Sequence, residues 1–292
     1  MPSRIGRCLD AVLNPKHYPP FPDITTAESF RQAWQNNPMW VLANMAHAAY
    51  CAPADMENCF RGFEAVTHFY ESGADNGPVI HGRQAFLAIW ADKAIVSFRG
   101  TEVSEKLRLK TPDALRAATE KLGWTLPEAL DAFLATDILD DLNFMTTAYR
   151  RARVHKGFLE ATLDLWPAIE ADLVARCAPS NLPVFVTGHS LGGAMALIAG
   201  MTYPFERIVT FGAPRVGQDL HQAITDPSRH IRYVNGNDPE TRIVPSFYPF
   251  QYQHHGERRT IVDQNHGGPN VLYDHAIVIY AEVLRETLPS EA

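Results

Sequence analysis

A serine flanked by glycines carries the clearest chemical potential in this chain. Residues 188–192 read G-H-S-L-G, between the apolar run Val184–Thr187 and a stretch of small apolar residues. A serine hydroxyl is a poor nucleophile unless it is held beside a base. A sharp turn from a strand into a helix holds it there, and the turn closes only when its outer residues are tiny. The segment therefore predicts Ser190 as a nucleophile, with the Leu191 amide aimed at developing negative charge. His189 is interpreted as a packing or hydrogen-bonding residue.

An activated serine needs a base, and the base needs an acid to orient it. On this kind of turn the acid follows the nucleophile along the chain, and a histidine follows the acid. Asp238 comes soon after the apolar run Ile231–Val234 and is the favoured acid. An ordinary Asp-Pro turn is the alternative interpretation of this residue. Glu240 and Asp263 are the competing carboxylates.

The base must be chosen among 12 histidines. Four of them follow the acid in the chain: His254, His255, His266 and His275. His275 precedes the last apolar helix, where its ring could reach the serine while its other nitrogen is held by the acid. We therefore favour His275 and keep His266 as the alternative. The adjacent pair at 254 and 255 is interpreted as surface residues.

Acyl transfer also needs hydrogen-bond donors for an oxyanion. The apolar run Ala94–Phe98 ends in Arg99, Gly100 and Thr101, where the glycine allows close backbone approach. Thr101 could supply both its amide and its hydroxyl. From the residues alone, Thr101 could equally be an oxyanion donor or an ordinary turn residue.

Alternating apolar segments indicate the elements that must position these residues. Residues 26–50 have helical spacing, and two apolar runs before residue 99 form a hairpin pattern. The C-terminal half alternates short strands with helices, which predicts a mostly parallel sheet covered by helices on both faces. The predicted strands are 63–70, 85–90, 94–98, 184–187, 208–211, 231–234 and 260–262, and the predicted helices are 26–50, 157–177, 191–203 and 275–288.

Four segments occur together in an order that resembles the class 3 lipases of the α/β-hydrolase fold. They are F-R-G-T at 98–101, V-H-K-G-F at 154–158, G-H-S-L-G-G-A at 188–194 and F-G-A-P-R-V-G at 211–217. The resemblance implies an α/β-hydrolase in which Thr101 is the side-chain oxyanion donor and Asp238 and His275 are the acid and the base. In the family a Val-Pro pair often follows the acid more closely. Here Glu240–Arg242 intervenes, which keeps Glu240 open as the acid.

The segment after Thr101 is longer than the resemblance would suggest. Residues 102–136 are charged and leucine-rich, and their pattern predicts two short helices. In class 3 lipases a lid follows the oxyanion residue, so the resemblance implies that 102–136 is a helical lid over an apolar acyl site. A helical insertion packed permanently on the body is the alternative. By the same resemblance Asp141 braces the oxyanion loop, unless it is a surface carboxylate.

Composition excludes several classes of function. The chain has 292 residues, of which 46% are hydrophobic, and a formal net charge of −7. These values predict a single domain, 1–292, and disfavour nucleic-acid binding. Its four cysteines match no zinc spacing, no stretch is long enough to span a bilayer, and no signal-peptide pattern begins the sequence. We therefore expect no metal, no cofactor, no transmembrane segment and a cytoplasmic location, although secretion by another route stays open. Oligomeric state is left open.

Together these features predict a serine ester hydrolase, with triacylglycerols or related lipid or carboxylic esters as substrates at a lipid–water interface. The same residues would serve a phospholipase A1 or a feruloyl or short-chain carboxylesterase. A serine peptidase, an acyltransferase and a non-catalytic binding protein are further alternatives. The F-R-G-T and G-A-P-R-V-G segments favour the lipases over these.

Overall fold

The structure is a computed structural model of the 292-residue chain. It describes residues 18–21, 24, 26–51, 60, 63–71, 83–90, 92–100, 145–224, 226–236, 238, 241, 244, 246, 251–262 and 274–286. The predicted lid, 102–136, lies outside the described residues, and so do Thr101 and Asp141.

The described residues form ten strands and five α-helices, with three short 3₁₀ turns. The strands are β1 (Ala65–Tyr70), β2 (Gln84–Trp90), β3 (Lys93–Phe98), β4 (Thr146–Tyr149), β5 (Ala152–His155), β6 (Val184–His189), β7 (Arg207–Phe211), β8 (Gly217–Gln218), β9 (His230–Asn235) and β10 (Glu257–Ile261). The α-helices are α1 (Ala27–Asn36), α2 (Pro38–Ala48), α3 (Lys156–Arg176), α4 (Leu191–Ala199) and α5 (Ile277–Glu286). The 3₁₀ turns are Ala178–Ser180, Leu220–Gln222 and Pro227–Arg229.

A seven-stranded sheet forms the centre of the fold, in the spatial order β1-β2-β3-β6-β7-β9-β10. The pairs β1–β2 and β2–β3 are antiparallel, as the hairpin pattern predicted. From β3 to β10 every neighbouring pair is parallel. The carboxyl ends of parallel strands meet at one edge of a sheet, which is where ligands bind in open α/β sheets. The residues after β3, β6, β7 and β9 therefore gather at this edge.

Helices cover both faces of this sheet. Helices α1, α2 and α5 pack on one face, where the core includes Phe30 and Tyr280. Helices α3 and α4 pack on the other face, around Ile169. Successive residues of a strand point to opposite faces, so Ile208 lies in the second core and Val209 in the first. The doubly covered, mostly parallel sheet predicted from the sequence is confirmed.

The segment 26–50 forms two helices where the spacing predicted one. Pro38 lacks an amide hydrogen and cannot continue α1, but it suits the first turn of a new helix. The Asn37 side chain caps that helix by accepting from the Trp40 amide at 2.9 Å. The Asn-Pro pair was therefore the missed signal.

A second, three-stranded sheet was not predicted. It has the order β4-β5-β8 and is antiparallel throughout. The pair of Val154 with Gly217 joins two of the motif segments named above, V-H-K-G-F and F-G-A-P-R-V-G. A methyl group at Gly217 would lie 2.9 Å from the Val154 Cα, so the close pairing needs a residue without a side chain. These two segments are thus structural partners.

Candidate active site

The serine of G-H-S-L-G lies in a sharp turn between β6 and α4. Ser190 has φ 57° and ψ −130°, a left-handed conformation that residues other than glycine seldom adopt. Such a conformation costs about 1–3 kcal/mol and persists only when its surroundings hold it. The Ser190 amide donates to the Phe211 carbonyl at 3.0 Å, and the Ser190 carbonyl accepts from the Gly193 amide at 2.9 Å. The turn is therefore tied to both β7 and α4.

Two glycines of the turn are required by close packing of backbone on backbone. A methyl group at Gly188 would overlap the Gly192 carbonyl group and lie 2.8 Å from the Gly193 amide nitrogen. A methyl group at Gly192 would overlap the carbonyl oxygen of Phe98, at the end of β3. Strand β3, which precedes the predicted oxyanion residue, thus touches the beginning of α4.

The predicted acid and base lie in hydrogen-bond contact. Asp238 is buried, with a side chain that is 0% exposed, and its Oδ1 lies 2.9 Å from His275 Nδ1. Its Oδ2 lies 3.0 Å from the same nitrogen. An ionised carboxylate can only accept, so the His275 Nδ1 carries the proton and Nε2 remains available as a base. This is the orientation that an acid gives to a catalytic histidine.

The glycine that opens the G-A-P-R-V-G segment, Gly212, is required by its backbone angle and by its close neighbours. Its φ is +56°, and a methyl group there would lie 2.5 Å from Asp238 Oδ2 and 3.1 Å from His275 Nδ1. The turn after β7 therefore lies against the side chains of Asp238 and His275. Only a residue without a side chain satisfies both the backbone angle and the space.

Tyr280 supports the acid from the last helix. Its hydroxyl donates to Asp238 Oδ2 at 2.6 Å and accepts from the Asn235 amide at 2.9 Å. Burial and the neighbouring carboxylate hold the pKa of Tyr280 well above its ordinary 10.0, so the phenol stays protonated and donates. The predicted acid is therefore contacted by His275 at both oxygens and by Tyr280 at Oδ2.

His189 lies between the nucleophile turn and the base. Its Nε2 is 2.7 Å from the His275 carbonyl oxygen, and its Nδ1 is 2.8 Å from the Tyr50 hydroxyl. The rings of His189 and His275 have centroids 4.5 Å apart. These contacts place His275 beside the turn that carries Ser190, and they agree with the hydrogen-bonding interpretation of His189.

The competing candidates divide into two groups. His254 Nε2 donates to the Thr241 carbonyl at 2.7 Å, because a carbonyl oxygen can only accept. His255 Nδ1 lies 3.1 Å from His230 Nδ1. Both rings are therefore engaged elsewhere. His255 is buried, so interpreting it as a surface residue was wrong, whereas His254 is half-buried. The remaining competitors, Glu240, Asp263 and His266, lie outside the described residues, as does Thr101.

Two tyrosines of this site were not identified from the sequence. Tyr50 follows α2 and lies 139 positions before His189, and Tyr280 lies 42 positions after Asp238. Contacts at such separations depend on how helices dock, which periodicity does not reveal. A usable signal existed for Tyr280, because a tyrosine on the apolar face of a helix requires a partner for its buried hydroxyl.

Among the residues that the structure describes, no group of three or more His, Cys, Asp or Glu side chains is arranged to hold a metal ion. Over the same residues, none of the helices combines the length and the hydrophobicity needed to cross a bilayer.

Comparison with known proteins identifies the family. The sequence profile of the family Lipase (class 3) matches residues 95–248, more than half of the 292-residue chain. The chain is a member of the class 3 lipase family. The matched region includes the Ser190 turn and Asp238, whereas His275 lies beyond it.

Several curated class 3 lipase relatives match part of the chain. A secreted mono- and diacylglycerol lipase 1 of Fusarium solani is 37% identical over 107 residues, which cover 34% of this chain and 32% of that protein. A lipase of Rhizomucor miehei is 33% identical over 146 residues, which cover 43% of this chain and 38% of that protein. The matches thus span about a third of the length of these relatives.

Solved lipase structures share the fold. Lipase II from Rhizopus niveus superimposes with a TM-score of 0.51 at 23% identity, over 80% of this chain and 81% of that one. A Rhizomucor miehei lipase in complex with its propeptide gives a TM-score of 0.52 at 20% identity, over 84% of this chain and 73% of that one. These similarities confirm the α/β-hydrolase fold expected from the sequence.

One expectation about this class 3 lipase is corrected by its relatives. The absence of a signal-peptide pattern led us to expect a cytoplasmic protein, and that expectation was wrong. The Fusarium solani relative is named as a secreted lipase. A missing apolar leader is a weak basis for a location, because a secreted chain loses its leader on maturation.

Proposed function

We propose that this class 3 lipase hydrolyses carboxylic esters of lipids through an acyl-enzyme intermediate. Ser190 is the nucleophile, His275 the general base and Asp238 the acid that orients it. Thr101 and Leu191 supply the oxyanion donors. The observation that carries this proposal is the 2.9 Å contact of Asp238 with His275 Nδ1 beside the strained Ser190 turn.

The reaction follows from the tautomer of His275, in which Nδ1 carries the proton and Nε2 does not. Nε2 takes the proton of the Ser190 hydroxyl while the serine oxygen attacks the ester carbonyl carbon. The tetrahedral intermediate collapses, the bond from carbon to the alkoxy oxygen breaks, and His275 gives its proton to the departing alcohol. Water then attacks the acyl carbon and passes a proton to His275. The bond from this carbon to the Ser190 oxygen breaks, His275 returns the proton to that oxygen, and the carboxylic acid is released. The Asp238 carboxylate stabilises the imidazolium in both steps.

The oxyanion site is supported from both loops. Leu191 is the first residue of α4, so its amide has no partner within the helix and lies at the positive end of the helix dipole. Gly100 precedes Thr101, and a methyl group there would lie 3.1 Å from Ser190 Cβ. Thr101 thus follows a residue that touches the nucleophile turn. Each oxyanion donor is worth roughly 3 kcal/mol of transition-state stabilisation.

The substrate class is supported by the family and by its relatives. The Fusarium solani relative is named a mono- and diacylglycerol lipase, and the Rhizomucor miehei relative a lipase. We therefore propose acylglycerols as the substrates and a lipid–water interface as the place of reaction, with residues 102–136 as the covering lid. No cofactor is proposed.

Hydrolysis assays with esters of different form test this proposal. We expect turnover of emulsified acylglycerol and of p-nitrophenyl esters, and we expect Ser190→Ala to lower kcat at least about a thousandfold. Ser97→Ala is the matched control, because Ser97 is an equally buried serine whose hydroxyl donates to the Met45 carbonyl at 3.0 Å, away from the site. Folded protein that turns over neither class of ester would overturn the enzyme proposal.

The same assays separate the alternatives. Preference for phospholipid over acylglycerol would replace the lipase proposal by a phospholipase, and turnover of short soluble esters alone would replace it by a carboxylesterase. Thr101→Ala should lower kcat about a hundredfold without changing the substrate order. An unchanged kcat in that variant would move the oxyanion donor elsewhere.

A further inference from the structure

The histidine before the nucleophile makes two hydrogen bonds that join three separate parts of the chain. His189 ends β6, Tyr50 follows α2, and His275 precedes α5. The His189 ring connects the Tyr50 hydroxyl at 2.8 Å with the His275 carbonyl oxygen at 2.7 Å. Strand β6, the turn after α2 and the backbone of the proposed base are thus linked through a single imidazole.

These two contacts determine which nitrogen of His189 carries the proton. A carbonyl oxygen can only accept, so Nε2 must donate to His275. Burial, and the nearby His275 and His47, hold the pKa of His189 well below its ordinary 6.5, so the ring is neutral. A neutral imidazole has one donor and one acceptor, and Nδ1 therefore accepts from the Tyr50 hydroxyl. Tyr50 thereby stabilises the tautomer that donates to His275.

The hydrogen bond from His189 holds the main chain of His275, whereas the hydrogen bond with Asp238 holds its side chain. The hydrogen bonds that begin α5 are accepted by the residue after His275, because the Ala276 carbonyl accepts from the amides of Ile279 and Tyr280. The base is therefore held both at its ring, by Asp238, and at its carbonyl group, by His189. Proton transfer depends steeply on distance, and a displacement of about 1 Å can cost on the order of a hundredfold in rate.

We propose that His189 is a positioning residue whose Nε2–H ties the backbone of His275 to the nucleophile turn and so keeps the base within reach of Ser190. This inference rests on the proposed function. Because His189 directly precedes Ser190, the same residue that ends the strand also holds the base. The nucleophile and the base then move together.

Two substitutions separate this role from simple packing. In His189→Gln the side-chain amide nitrogen can occupy the place of Nε2 and still donate to His275. In His189→Asn the side chain is shorter, so its oxygen can accept from Tyr50, but its amide cannot reach the His275 carbonyl. We expect the Gln variant to keep kcat within about threefold, and the Asn variant to lose about tenfold or more, with little change in KM for a soluble p-nitrophenyl ester.

Thr187→Val is the matched control. Thr187 lies on the same strand, is equally buried, and donates from its hydroxyl to the Leu42 carbonyl at 3.3 Å without touching the site. We expect this variant to keep its kcat even where its Tm falls. Equal losses of kcat in the Gln and Asn variants, in step with their Tm, would show that His189 only fills space and would overturn the inference.

The tautomer is measured without any assay of activity. Nitrogen-15 chemical shifts of the His189 imidazole in the unmodified chain should show a protonated Nε2 and an unprotonated Nδ1 throughout the neutral pH range. A ring protonated on Nδ1 would overturn the inference even if a variant fails to fold. A chain that turns over no ester overturns the proposed function, whereas an active chain in which the Asn and Gln variants behave alike overturns only the role of His189.

Discussion

At the scale of single residues, the site depends on side chains that orient the groups proposed to react. The Asp238 carboxylate lies within hydrogen-bond distance of His275 Nδ1 at both oxygens, and its Oδ2 also accepts from the Tyr280 hydroxyl. Hydrogen bonds to a charged carboxylate are shorter and stronger than those between neutral groups. Tyr280 therefore limits the orientations that Asp238 can adopt, and through Asp238 those of the His275 ring.

Replacing Tyr280 with phenylalanine tests this support. The Tyr280→Phe variant removes a short hydrogen bond from Asp238 Oδ2 and loosens the buried carboxylate, so we expect kcat/KM for a soluble ester to fall about tenfold or more. Steady-state kinetics together with Tm measures the effect. Tyr233→Phe is the control, because Tyr233 is also a buried phenol on the same side of the sheet, but its hydroxyl bonds to Arg259. If both variants lose the same activity, Tyr280 has no specific connection to the acid.

The residues proposed to react were visible in the sequence, whereas the residues that hold them were not. Ser190, Asp238 and His275 each stand at a boundary between a strand or helix and a loop, and such boundaries are visible in the pattern of apolar residues. Tyr50 and Tyr280 lie within or beside helices, where their neighbours are determined by docking. A tyrosine predicted to be buried needs a hydrogen-bond partner for its hydroxyl, but the sequence does not show which residue that partner is.

At the scale of elements, the contact of α4 with β3 determines how the two loops of the site meet. Gly192 lies at the beginning of α4 against the backbone of Phe98 and Arg99, and a methyl group there would lie 2.9 Å from the Arg99 carbonyl carbon. Backbone atoms in the centre of a sheet cannot move aside. Because Gly192 has only a hydrogen atom as its side chain, the end of β3 can lie close to the nucleophile turn.

Two alanine substitutions at opposite ends of α4 test this contact. Gly192→Ala should destabilise the fold by about 3 kcal/mol or more and abolish activity, because it forces α4 away from β3. Gly200→Ala should cost less than about 1.5 kcal/mol, since its methyl group meets the end of the flexible Ile208 side chain and its backbone is already helical. Urea denaturation and ester hydrolysis measure both. A tolerated alanine at 192 would show that the two loops are not held by this contact.

Elements with strong apolar patterns were predicted, and elements with weak ones were missed. Strands β2 and β3 are buried along their whole length, so their apolar runs stood out. The second sheet consists of two four-residue strands and one two-residue strand, and it is partly exposed. Such short segments gain their stability from the pairing itself, which the sequence of either partner does not display.

At the scale of the whole molecule, burial keeps several histidines neutral. Burial lowers the pKa of His155 from its ordinary 6.5 to about 4. Burial, together with Arg232 and Arg215, lowers that of His254 to about 3. The pKa of His230 is likewise lowered, first by burial and then by His255. In the unfolded chain these rings would titrate near 6.5, so below that pH the unfolded state binds more protons than the folded state.

The free energy of unfolding should therefore fall as the pH drops below about 6.5. For a histidine whose folded pKa is lowered, the stabilisation is complete above the unfolded pKa. It is lost progressively towards the folded pKa, at about 1.4 kcal/mol per pH unit for each proton. For His155 this window extends from 6.5 down to about 4. We expect urea midpoints to decrease steadily across this window.

His155 allows its own share of this pH dependence to be removed. Its Nδ1 caps α3 by accepting from the Phe158 amide at 3.3 Å, a role that the oxygen of asparagine also performs well. The ring stacks on Phe158 at 4.1 Å, so His155→Asn should be less stable at neutral pH. Its slope of unfolding free energy against pH should nevertheless be flatter by up to about 1.4 kcal/mol per unit between pH 4 and 6.5, because one titrating ring is gone.

A cavity elsewhere in the same helix separates lost packing from lost proton linkage. Ile169→Val removes one fully buried methylene from α3 and should lower stability by about 1 kcal/mol at every pH, which displaces the whole curve without changing its slope. Urea denaturation of both variants over the same pH series distinguishes the two effects. A His155→Asn curve parallel to that of the unmodified chain would mean that His155 takes up its proton equally in the folded and unfolded states. The acid sensitivity of the fold would then arise from the other buried histidines.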